Sequence, residues 1–200
     1  MAKLTHDEII QISSARYAEC EKIIGTVAQA IKKKDPEFKP ETAMACFDII
    51  LQSCLFNAAV ADGKLEEDEI NFIMCLTRYV DLMSILNKKL KEEDAQWPNV
   101  TWDDIATLNS EAQEALAIIS AAAVAEYANA FVSIFATVDK ILTEVDLLKA
   151  LNEKVIAIFV ALAGADGDDL DNPVVKEEAT RAAIIYNTLV VDRWKEIAGE

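Results

Sequence analysis

Histidine is all but missing: the chain of 200 residues has one, His6. Cys20, Cys46, Cys54 and Cys75 form no C-x-x-C pair either, so zinc chemistry has no ligand set to draw on. Cys46 and Cys54 stand eight residues apart on an apolar helix face, and the cysteines read as buried reduced thiols of a cytoplasmic protein. Glycine (5) and proline (4) are scarce, which argues against a turn-rich all-β fold. No signal peptide is expected, because the N-terminus turns acidic at Asp7 and Glu8 without an apolar stretch. The longest apolar runs, residues 115–125 and 155–165, fall short of the roughly 18 residues of a membrane span, so no transmembrane segment is expected. Bases are also short, 19 against 35 acids, for a net charge of -16. Such a surface repels phosphate backbones and anionic lipid, which excludes nucleic acid as a partner and favours divalent cations or basic proteins.

What is present is apolar: 52% of the residues are hydrophobic. A chain this long buries roughly 70% of its unfolded surface and needs no staples, so residues 1–200 read as one domain. Helical spacing runs nearly throughout. Thr5 and Glu8 have the spacing of a capping box, opening a helix to about Lys34. Pro40 suits the first turn of a second helix, to about Ala61. Past its start that helix is polar only at Asp48, Gln52, Ser53 and Asn57, which predicts burial on most sides. A third helical segment spans Glu66 to about Glu93 with a bend at Asp81, and Trp97-Pro98-Asn99 is a turn. Thr101 with Asp104 caps a short helix, and Ser110 with Gln113 caps a long one to about Ile141. Ala117, Ala121, Ala125 and Ala128 give it a ridge for close helix approach, and Glu126 lies on its solvated polar stripe. Thr143 with Asp146 opens the next helix, and Asn172-Pro173 the last, to about Ala198. The expected fold is an all-α compact bundle of seven or eight helices.

A repeated turn stands out. Ala61-Asp62-Gly63 and Ala165-Asp166-Gly167 lie 104 residues apart, each joining an apolar helix to a helix with an acidic start. The expected organisation is two diverged, pseudo-symmetric halves at about 40–95 and 143–198. Five acids fall in residues 62–69 and six in residues 166–178, eleven of the 35 in the chain. Two explanations stand side by side. In the first the turns are caps: Gly63 and Gly167 take the left-handed conformation, Leu65 and Ile70 form a hydrophobic staple, and acids favour the helix dipole by roughly 0.3–1 kcal/mol each. In the second the crowded carboxylates also hold a hard cation, Ca²⁺ or Mg²⁺, shared between the turns. An EF-hand is excluded, because Ala58 and Val60 would occupy its first two ligand positions.

A helix ending in Ala-Asp-Gly, then an apolar residue, then an acid six residues after the glycine resembles the tellurite-resistance TerB-like superfamily. Ala61-Asp62-Gly63-Lys64-Leu65 with Glu69 carries the resemblance, with Glu66 where a small hydroxyl cap is usual. Asp166-Gly167 carries it again, with three extra residues before the helix start. The resemblance implies an all-helical fold, a divalent-cation site among clustered acids, and a part in stress response or signalling assemblies. Carried over singly, it implies Asp62 with Glu69 as one metal-ligating pair, and Asp166 with Glu177 or Glu178 as the other.

The functional expectation is a non-enzymatic interaction or stress-sensing module, with no catalytic residues assigned. Two alternatives remain: a metal-assisted hydrolase using the same carboxylates, and a ligand-free scaffold or homo-oligomer. The hydrolase lacks a visible nucleophile–base arrangement, and His6 has no Glu three residues before it as a di-iron bundle requires. For the scaffold, Trp97, Trp102 and Trp194 are either core or interface anchors.

Overall fold

The computed structural model describes residues 5–139, 147–163 and 173–198. Among them every regular element is a helix. The order is α1 (His6–Lys32), α2 (Pro40–Ala59), α3 (Glu67–Leu76), α4 (Leu82–Glu93), α5 (Trp102–Ala106), α6 (Ser110–Ala123), α7 (Ala125–Asp139), α8 (Leu147–Leu162), α9 (Pro173–Tyr186) and α10 (Asp192–Ala198). A π-helical turn, Asn187–Val191, joins α9 to α10 as one continuous rod. Counting that rod once, and the bent pair α6–α7 once, gives eight helices among the described residues, within the seven or eight expected.

The bundle is built around α2. Every residue of α2 from Cys46 to Ala59 is buried, and α1, α3, α4, α6, α7, α8 and α9 all pack on it. By length and composition α2 is apolar enough to cross a bilayer, but 89% of its apolar window is buried among the other helices, where it serves as the core. Stacked rings tie the layers together. Tyr17, Phe47, Phe131 and Phe135 form a chain of ring pairs, with centroids 4.9–6.1 Å apart, across α1, α2 and α7. Phe56 meets Trp102 edge-on at 5.3 Å, so Trp102 is core, whereas Trp97 is exposed. Such pairs are worth about 0.5–1.5 kcal/mol each beyond the area they bury.

Four local expectations are corrected. The segment from Glu66 to Glu93 is two helices, because residues 77–81 are extended and their backbone is claimed by side chains of α2. The long helix from Ser110 breaks at Val124, where α6 and α7 meet at 41°. Its cap is Asn109, whose Oδ1 accepts from the Ala112 amide at 2.9 Å, and Gln113 is buried for another purpose. The cysteines are also not uniform: Cys20, Cys46 and Cys54 are buried, while Cys75 is exposed. Thr143, Asp146, Asp166, Gly167 and Asn172 lie outside the described residues.

Candidate functional site

The first acidic turn is shaped by its glycine. Gly63 has φ of +99°, and a Cβ there would approach nothing closer than Ser110 Cβ at 3.9 Å. Backbone conformation, not crowding, requires glycine. Asp62 closes the turn by accepting the Lys64 amide at Oδ1, 3.0 Å away, and stays exposed. Lys64 reaches Glu66 at 3.4 Å on the surface.

The chain then dives inward. Leu65 is buried, and its amide donates to Gln113 Oε1 at 2.9 Å. The Glu66 amide donates to Glu69 Oε2, also at 2.9 Å, which completes the reciprocal half of a helix cap. That bond draws the Glu69 carboxyl under the helix start, where it is only 6% exposed. Burial is the main reason its pKa is pushed up to about 8. The Glu66 amide opposes that rise, and the charges of Glu178, Asp62 and Glu66 add to it.

The contribution of Glu178 matters because it comes from the other half of the chain. It lies on α9, which packs against both α8 and α2, and it is 5% exposed. Two acids 109 positions apart in sequence therefore share one buried region beside the end of α2. Glu177, the neighbouring candidate, is exposed. Of the sequence candidates, Asp62 and Glu178 each come into electrostatic reach of Glu69, and Glu177 turns to solvent. Asp166 lies outside the described residues. The two halves are not used equivalently, since α9 reaches across to α2 while α3 packs on α2 and α1.

Among the described residues no group of three or more His, Cys, Asp or Glu side chains is placed to hold a metal ion. The arrangement is a buried carboxyl pair with an exposed third acid nearby. No family model, curated protein or solved structure matches the chain. The TerB-like resemblance rests on the motif residues alone.

A second polar cluster was not singled out as a site from the sequence. Asp48, buried in α2, accepts the Tyr17 hydroxyl at 2.6 Å and the amides of Arg78 and Tyr79 at 2.9 and 2.7 Å. Burial raises its pKa while those three bonds oppose the rise. Arg78 spreads over the Tyr17 ring, 5.6 Å from its centroid. One turn on, Gln52 donates to Thr77 and to the Val80 carbonyl, and accepts the Leu82 amide, each at 2.7 Å. Ser53 and Asn57 face the other way and bond Ser120 Oγ and the Ala117 carbonyl of α6. Gln113 spans the α5–α6 connection, donating to the carbonyls of Ile105, Ala106 and Leu108. These groups position the chain around the carboxyl pair. The sequence signal was present in the four polar positions of α2, which form two i, i+4 pairs on an apolar helix.

Burial also pushes up the thiols of Cys20, to about 12, Cys46 and Cys54. A thiol so placed is a packing group and not a nucleophile.

Proposed function

We propose that this protein is a non-enzymatic interaction or sensing module that takes a divalent cation, Mg²⁺ or Ca²⁺, at the Glu69–Glu178 pair. The observation that carries the reading is the pair itself. Carboxyls from the two halves of an acidic chain are both buried; burial raises the pKa of Glu69, and repulsion from Glu178 adds to the rise. A hard cation relieves that repulsion and makes ionised carboxylates tolerable in a buried place. Two carboxylates with water in the remaining positions suit Mg²⁺ in particular, which keeps several waters when bound. The TerB-like motif points to Glu69, with Asp62, and leaves Glu178 as one of two candidates beside Asp166.

Thermal unfolding in Mg²⁺ or Ca²⁺, against a chelator, tests the reading. At ~100 times its dissociation constant a cation stabilises by ~2.7 kcal/mol. In a chain of this size that is a rise of several degrees in Tm. Glu69→Gln and Glu178→Gln should each abolish the rise, and Glu177→Gln, on the exposed side of α9, should keep it. Equal Tm values in both cations and chelator would overturn the proposal.

A further inference from the structure

The outer side of α3 borders a groove of about 630 Å³ that runs between α3, Asp81 and the start of α5. Met74, Met83 and Trp102 form its apolar floor, and Glu67, Asp81 and Asp103 stand at its edges. Among the described residues no lysine or arginine lines it. A smaller hollow of about 220 Å³ continues from it, sharing Met74, Asp81 and Trp102. The cation in that hollow, Arg78, is engaged with the Tyr17 ring and with Glu21 at 3.7 Å. Met74 and Tyr79 are 56% and 47% exposed, large apolar side chains left in water at the junction of the two spaces.

We propose that this groove docks a basic amphipathic helix from a partner protein. The apolar floor calls for apolar anchors, and methionines adapt their shape to anchors of different size. Three acids without a cation call for lysine or arginine flanking those anchors, and the net charge of -16 draws such a segment in from a distance. An apolar helix face set in a groove, with basic residues against an acidic edge, is a recurring mode of peptide recognition. The groove is also pre-formed. Asp48 and Gln52 fix residues 77–82 from inside, and Asp81 caps α4 by accepting the Met83 amide at 3.0 Å. This inference does not depend on the cation.

The test uses the full-length protein in chelator at physiological salt. The probe is a fluorescein-labelled model peptide with leucine at helical i, i+3, i+4 and i+7 positions and lysine elsewhere. Fluorescence anisotropy should show saturable binding, and the same peptide with glutamate for lysine should not bind. Met74→Ser, at an exposed position, should weaken binding at least about fivefold with helicity unchanged. Asp103→Lys should weaken it about tenfold or more, and Glu153→Lys, the same charge change on exposed α8, should alter it less than about twofold. Absence of binding overturns the proposal. So does an undiminished Met74→Ser, or a loss with Glu153→Lys equal to that with Asp103→Lys, since either result means general attraction to an acidic surface.

Discussion

Glu69→Gln in a chelating buffer isolates the energetics of the buried pair. The Glu69 carboxyl has a pKa of about 8 in the folded chain against an ordinary value of 4.5. A group whose folded pKa is raised binds more protons when folded, so its contribution is fully present below about pH 4.5 and is lost as pH rises toward 8. At about 1.4 kcal/mol per pH unit, stability falls by about 3 kcal/mol between pH 5 and pH 7 from this residue alone. Glutamine keeps the shape of the side chain and an oxygen to accept the Glu66 amide, but it has no proton to lose. The stability of the wild type minus that of Glu69→Gln, from urea unfolding at each pH, should therefore be near zero at pH 5. It should reach about -3 kcal/mol at pH 7, roughly 6–12 °C in Tm, with the variant the more stable protein. Subtracting the variant removes the pH dependence of the other acids, whose mutual repulsion also grows with pH. Burial sets most of the effect and neighbouring charges add to it: Glu178→Gln removes the largest repulsive neighbour and should make the difference curve shallower without abolishing it. A difference that stays level from pH 5 to pH 8 would refute the buried, proton-holding Glu69. A level difference is what an ionised, well-solvated carboxylate gives, because its pKa is then the same in the folded and the unfolded chain.

Other substitutions probe what holds the site in place. Tyr17→Phe removes one of the three donors to buried Asp48 and should destabilise by about 1–3 kcal/mol in urea unfolding. Gln113→Leu strands the Leu65 amide and the carbonyls at the end of α5, and should lower stability by at least about 2 kcal/mol with a visible loss of Tm. Gly63→Ala forces a Cβ into the left-handed region and should cost about 1–2 kcal/mol, while Gly25→Ala, inside α1 with no atom within 4 Å of the new methyl, should gain about 0.5–1 kcal/mol. Opposite signs for two identical changes would show that conformation, and not volume, dictates glycine at the turn.

Helix content was legible because its signals are local. Thr5 with Glu8 and Thr101 with Asp104 cap helices in the way their spacing predicts. The buried character of α2 was legible from its composition, with four polar residues in a long apolar stretch. The breaks were harder to read, because their causes are distant in sequence. Residues 77–81 contain no glycine or proline to stop a helix, and they are non-helical because Asp48 and Gln52, about thirty positions earlier, take their backbone amides and a carbonyl. Gln113 stands three residues after a serine, as a capping glutamine does, yet its amide is used to bind Leu65 and the end of α5 across the core. At the candidate site the sequence pointed to Glu69 through its spacing from Gly63. It left Glu177 and Glu178 equivalent, since adjacent residues on a helix point about 100° apart and only packing decides which one faces inward.

The placement of α3 ties these features together. A helix of ten residues is too short to hold its shape alone, since isolated helices need about 12–15 residues even in good sequences. Its shape is imposed from three directions. Phe72, Ile73 and Leu76 are buried against the bundle. The first turn is held by the Glu66–Glu69 bond and by Leu65 on Gln113. The exit is held by Asp48 on Arg78 and Tyr79. Glu69 is thus both a member of the buried acid pair and a support of the helix that carries it. Proton loss at Glu69 places a charge under the first turn of α3, near Glu178 and two more acids, in a helix too short to stand alone. The opposite face of that helix presents Glu67 and Met74 to solvent. A change of charge at Glu69 is therefore a change within the same short helix that carries exposed Met74.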